Sequence, residues 1–192
     1  MDLEKEIKTQ LVESSDLKLK LASEFVSEIK EIALVLIECV EKGGKILLCG
    51  NGGSAADSQH LATELVTRLR LERKPIRAIA LTTDTSLMTA MANDYDFSRI
   101  FERQVEALGD KDDVLIGITT SGNSGNVIKA LEMGKRIGMK TVAITGKDGG
   151  KIRDVADISL IVPSMDVQRI QEAHITVGHI LCDILEKYFY GN

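Results

Sequence analysis

The sequence predicts an α/β fold, a parallel sheet with helices on both faces. Three observations carry that expectation. Five short apolar runs, KILLCG, IRAIAL, DVLIGIT, KTVAIT and ISLIVP, have the length and composition of buried strands. Segments of helical period separate most of them, as crossover connections between parallel strands require. Two of the runs end in turns rich in glycine and small polar residues, each leading into a helix.

In chain order, the first 42 residues contain neither Gly nor Pro. Leu17, Leu21, Phe25, Ile29, Ile32, Leu36 and Val40 recur at three- and four-residue spacing, which predicts a long N-terminal helix ended by Gly43 and Gly44. KILLCG is the first strand, followed by a helix from about Ser54 to Leu71. IRAIAL is the second, with helical material through Leu108. DVLIGIT is the third and precedes a helix from about Val127 to Ile137. KTVAIT and ISLIVP complete the sheet, and a helix from about Asp166 to Tyr190 closes the chain. With no long linker, biased segment or repeat, residues 1–192 form one domain with a helical extension over about 1–42.

The length suits one domain with a sizeable core. A composition 44% hydrophobic and 28% charged excludes disorder, and a net charge of −5 argues against nucleic acid as a partner. Cys39, Cys49 and Cys182 lie in apolar periodic segments with no C-x-x-C pair, so they read as buried free thiols of a reducing compartment. The N-terminus MDLEKEIKTQ lacks an apolar leader, and the longest apolar run, IALVLIECV, is too short to span a bilayer. The expectation is a soluble, cytoplasmic protein without a membrane partner.

In open parallel sheets, ligands sit beyond the carboxyl ends of the strands. After the first strand stands GNGGSAAD, whose glycines let a ligand approach backbone amides at a helix start. Ser54 and Asp57 also suit the ordinary role of helix caps. Gly50, Gly52 and Ala55 match G-x-G-x-x-A, but the acidic residue a dinucleotide site needs at the end of the second strand is missing. After the third strand, TTSGNSGN offers four hydroxyls, a cradle for phosphate, where a plain turn and a cap at Ser124 would need one.

His60 and Glu64 stand four residues apart and share a helix face, as two metal ligands or as a base and its partner. Gln171, Ile175 and His179 share a face of the last helix, where Gln171 and His179 are about 12 Å apart along the axis. His174 reads as structural. Asn93 and Asp94, in MANDYDF, are either a helix terminus or partners of sugar hydroxyls.

CGNGGSAADSQHLATEL, ALTTDTS, ANDYDF, DVLIGITTSGNSGNV, TGKDGG and RIQEAHI occur in that order over nearly the whole chain. Together they resemble the phosphoheptose isomerases of the sugar isomerase (SIS) domain family. The resemblance implies a three-layer αβα sandwich on a five-stranded, flavodoxin-like parallel sheet. It also implies a homotetramer with active sites at subunit interfaces and one zinc ion per subunit. The implied reaction converts sedoheptulose 7-phosphate into an aldoheptose 7-phosphate for surface glycans.

Carried over by residue, the resemblance makes Asn51, Gly52, Gly53, Ser54, Asn93, Asp94 and Gln171 substrate contacts. Thr119, Thr120, Ser121 and Ser124 hold the phosphate. His60, Glu64, Gln171 and His179 are the zinc ligands, with Glu64 and His179 as the base and acid. Relatives that bind a replication initiator or act as phosphosugar-binding regulators lack turnover; Glu64 and His179 favour the enzyme. Thr67, Leu69 and Gln168 depart from the family pattern at the rim of the site, where Arg68 also lies.

Overall fold

The computed structural model describes residues 1–191. The N-terminal helical stretch is built as two helices, α1 (Leu3–Glu24) and α2 (Val26–Glu41), divided at Phe25. Phe25 leaves the helical conformation with φ −123° and ψ 13°, a break that periodicity does not register. There follow β1 (Ile46–Gly50), α3 (Gly53–Val66), β2 (Ala78–Ala80), α4 (Thr85–Asp94) and α5 (Glu102–Leu108). Then come β3 (Val114–Thr119), α6 (Gly125–Ile137), β4 (Lys140–Gly146), β5 (Ile158–Val162) and α7 (Val167–Tyr190). The helix after β1 ends at Val66 rather than Leu71, because Arg73 caps its last carbonyls and the chain turns away over residues 67–77.

The five strands are all parallel in the order β2-β1-β3-β4-β5. β1, β3 and β4 are buried at nearly every residue, as an uninterrupted apolar run between two helical layers requires. Side chains alternate between two cores. Ile46, Leu48, Ile116 and Ile144 pack under α1, α2, α3 and α7, and Leu47, Cys49, Leu115 and Ala143 pack under α5 and α6.

The strand order reverses between β1 and β3, which are paired from Ile46↔Val114 to Gly50↔Ile118. β1 sends its chain to α3 on one face and β3 sends its chain to α6 on the other. The crevice that opens between those loops is where such sheets take ligands.

All three cysteines are buried and free, and burial pushes the Cys49 and Cys182 thiols up to about 12. None offers a thiolate near neutral pH. Among the described residues no helix is long and apolar enough to cross a membrane.

His174 is structural, as its sequence position suggested. It is 1% exposed, its Nε2 donates to the Thr145 carbonyl at 3.1 Å, and burial drives its pKa from 6.5 down to about 4. The unfolded chain therefore takes up a proton that the folded chain refuses. Stability should be complete above pH 6.5 and fall by up to about 3 kcal/mol between pH 6.5 and 4. Urea unfolding across that range should show the fall, and His174→Gln should flatten it.

Candidate active site

Two loops at the reversal of strand order face each other. The loop after β1 turns at Gly52, whose φ of +54° and ψ of −119° favour glycine, and α3 begins at once. Neither Ser54 nor Asp57 caps α3; Gly52 occupies that position and Ser54 is buried at the first turn. The loop after β3 pairs Thr119 and Ser124 through their hydroxyls at 2.9 Å, so Ser124 stands at the N-cap of α6 with its side chain turned inward. Ser121 accepts from the Asn123 amide. A left-handed Gly122 seats this loop against Gly149, where any Cβ would strike the Gly149 carbonyl.

The two loops are tied by a reciprocal amide pair. Asn51 donates to Asn126 Oδ1 at 2.9 Å, and Asn126 returns a bond to Asn51 Oδ1 at 2.8 Å. Beside them a cavity of about 310 Å³ is lined by Gly50, Asn51, Gly52, Thr82, Thr89 and Phe101. Asn93 and Asp94 end α4 as exposed residues joined by an Asn93 Nδ2 to Asp94 Oδ1 bond of 2.8 Å.

α3 and α7 run side by side in the same direction, and small residues set their separation. A Cβ at Gly178 would lie 2.6 Å from a methyl of Leu61, and one at Gly53 would lie 3.1 Å from Gln171 Cδ. This approach brings His60 Nε2 to 2.8 Å from His179 Nε2, while the i, i+4 spacing within α3 leaves it 3.5 Å from Glu64 Oε1. Donor atoms of His60, Glu64 and His179 all lie within 4.8 Å of one another. His60, Glu64 and His179, three of the four residues expected to bind metal, thus converge within one chain; the fourth, Gln171, has its amide beside Gly53 at the start of α3. Two imidazoles and a carboxylate fit zinc, whose catalytic sites use three protein ligands and leave a position open.

Asp57 belongs to the same region, and the sequence reading saw it only as a cap. Its Oδ2 is buried without a hydrogen-bond partner. Burial raises its pKa, and the nearby His60 and His179 imidazoles pull it partly back.

A profile described as SIS domain matches residues 11–146. The chain belongs to the SIS domain family. Its similarity extends to specific members. It is 59% identical over 161 residues to a phosphoheptose isomerase of Helicobacter pylori strain P12, covering 84% of each chain. It is 51% identical over 187 residues to one of Clostridium acetobutylicum, covering 96% of this chain and 95% of that one. The solved phosphoheptose isomerase of Neisseria gonorrhoeae superposes with a TM-score of 0.91 at 42% identity, covering 96% of this chain and 99% of that one. This SIS chain is therefore of the phosphoheptose isomerase group.

Three further residues escaped the sequence reading. Asn126 lay inside a quoted motif without being singled out. Glu186 and Arg73 form an ion pair at 2.9 Å, each side chain 1% exposed. Glu186 also accepts from the amides of Leu69, Arg70 and Leu71. Burial alone would raise its pKa, but the three amides and the Arg73 guanidinium hold it below the usual carboxylate range. Arg73 in turn donates to the Glu64 and Leu65 carbonyls, so the pair locks the end of α3 to α7. A glutamate in the apolar stripe of Leu181, Cys182 and Leu185 was the available signal. Arg68 reaches Glu72 at 2.7 Å.

Glu186→Ala leaves Arg73 buried and unpaired. It should cost about 3–5 kcal/mol in denaturant unfolding. A loss below about 1 kcal/mol would contradict the locking role.

Proposed function

We propose that the chain converts sedoheptulose 7-phosphate into D-glycero-D-manno-heptose 7-phosphate. It is an isomerase of the phosphoheptose isomerase group, and its substrate is a small phosphorylated sugar. The observation that supports the chemistry best is the meeting of His60, Glu64 and His179 beside the glycine loop. A module that only held a phosphosugar would have use for the loops alone, which disfavours a regulator or a replication-initiator partner.

The reaction moves a proton between adjacent carbons through a cis-enediol. The phosphate is taken by Thr119, Thr120, Ser121 and Ser124, with neutral donors at the start of α6. Gly52, Gly53 and Ser54 approach the sugar from the start of α3, with Asn51 held in place by Asn126. Gln171 reaches the sugar across Gly53, and Asn93 with Asp94 meets its hydroxyls from the end of α4. Glu64 removes the carbon-bound proton as general base. His60, Glu64 and His179, with Gln171 from α7, would hold one zinc ion per subunit, and such an ion would supply polarisation of the substrate carbonyl. His179 serves as acid or proton shuttle.

The assembly is a homotetramer with its sites at subunit interfaces. In support, Leu3, Ile7 and Leu11 form an exposed apolar row on α1. An apolar groove of about 410 Å³ also runs between the first two helices and α7, lined by Leu21, Val26, Ile29, Leu34, Ile180 and Ile184. A cytoplasmic enzyme that feeds heptose into surface glycans fits the free buried thiols and the phosphorylated substrate.

Incubation with sedoheptulose 7-phosphate, followed by NMR, should yield an aldoheptose 7-phosphate. A chelator should abolish the conversion and added zinc restore it. Glu64→Gln should lower kcat by about 10²–10⁴-fold. Binding without turnover in the unsubstituted protein would overturn the isomerase reading. Light scattering should give four copies per particle, and a double change of Ile7 and Leu11 to Lys should reduce that number.

A further inference from the structure

The proposed phosphate cradle is made of neutral donors. Thr119, Thr120, Ser121 and Ser124 offer hydroxyls, and the first turn of α6 offers amides. A phosphate monoester is largely a dianion at neutral pH, since its second pKa is about 6. α6 also starts without an acidic residue in its first turn, so it carries no carboxylate of its own against the positive end of its dipole.

Lys129 stands at that end of the helix. It is half-buried and lies one turn after Gly125 on the same face, and a helical side chain leans toward the N-terminus. Its ammonium donates to the Ser98 hydroxyl. Ser98 belongs to the turn Phe97–Arg99 that follows α4, and its Cβ is 4.0 Å from where a Cβ of Gly125 would be. The Lys129 chain therefore runs back over the bare backbone of Gly125 and holds its charge level with the first turn of α6. Ser124, which opens that turn, has its hydroxyl 2.9 Å from that of Thr119.

A cation is favoured at the negative end of a helix and disfavoured at the positive end. Lys135 and Arg136 follow that preference in the last turn of α6. Lys129 opposes it, and its partner is a neutral hydroxyl rather than a carboxylate. Asp96 also meets Ser98 by accepting from its amide, but it is exposed and faces Arg99 as well as Lys129. An ammonium held beside a positive helix end and a neutral cradle is suited to a dianion.

We propose, given the isomerase reading, that Lys129 is a specificity residue whose charge selects a phosphorylated sugar and draws its phosphate to the start of α6. It takes no part in the proton transfers. Ser98 is the stay that keeps the ammonium at the first turn.

The test uses inorganic phosphate as a probe beside turnover. Phosphate should raise the melting temperature of the unsubstituted protein. Lys129→Gln should remove most of that rise, and Lys129→Arg should keep it. With sedoheptulose 7-phosphate, Lys129→Gln should raise KM about tenfold and leave kcat within about twofold. Ser98→Ala removes the hydrogen bond and keeps the charge, so it should retain most of the phosphate response. Without phosphate, Lys129→Gln should melt no lower than the unsubstituted protein, because a cation leaves the positive end of the dipole. No phosphate response in the unsubstituted protein, or one unchanged in Lys129→Gln, would overturn the proposal. Equal losses in Ser98→Ala and Lys129→Gln would also overturn it, by making Lys129 a structural anchor. An unsubstituted protein that responds to phosphate and does not convert the sugar would instead overturn the isomerase reading.

Discussion

The close parallel contact between α3 and α7 is the constraint on which the site depends. It exists because Gly53 and Gly178 have no side chain where the other helix passes: one faces the Gln171 amide and the other the methyls of Leu61. A Cβ at either position would stand closer than contact distance to those side chains, so the neighbour or the helix itself would have to shift. The contact is secured beyond the cluster by Glu186, which gathers three amides and the Arg73 guanidinium in a pair shut off from solvent. Because Arg73 binds the carbonyl of Glu64 itself, the far end of the clamp acts on the backbone of the proposed base. Fixing reactive groups on rigid helices limits the freedom that must be lost when substrate binds.

The sheet solves a second problem, the distance between the phosphate end of a sugar and its carbonyl. Reversal of strand order between β1 and β3 opens a crevice there, and the Asn51–Asn126 pair holds its two lips together. One lip leads into α6, where hydroxyls and helix amides suit a phosphate. The other leads into α3, whose next turns carry Asp57, His60 and Glu64. In the proposed reaction a phosphosugar laid from the first lip along α3 would meet the proposed binding groups and then the proposed reactive groups in sequence order. The short stretch from Gly50 to Glu64 thus runs from the lip of the crevice to the converging donors His60 and Glu64.

Much of this was legible in the chain. The strands could be read because parallel strands buried on both faces are continuous apolar runs, and the glycine and hydroxyl turns marked their carboxyl ends. The i, i+4 pair of His60 and Glu64 was visible for the same local reason. The break at Phe25 was not, since apolar spacing continues across it while the backbone departs from the helix. The meeting of His60 with His179 bridges 119 residues and follows from packing between two helices, which periodicity leaves undefined. Asp57 illustrates a further limit: local sequence favours a cap, and only burial without a partner distinguishes it. Ser124 was placed correctly at a helix start, but its hydroxyl turned to Thr119.

The central claim is that α3 and α7 of a single chain bring two imidazoles and one carboxylate to one metal ion. Zinc K-edge X-ray absorption on the zinc-loaded protein tests it most directly. The expected spectrum has two imidazole ligands and oxygen donors at about 2.0–2.2 Å, with one imidazole lost in His179→Ala. A sulfur ligand, fewer than two imidazoles, or an unchanged spectrum in that variant would contradict the claim.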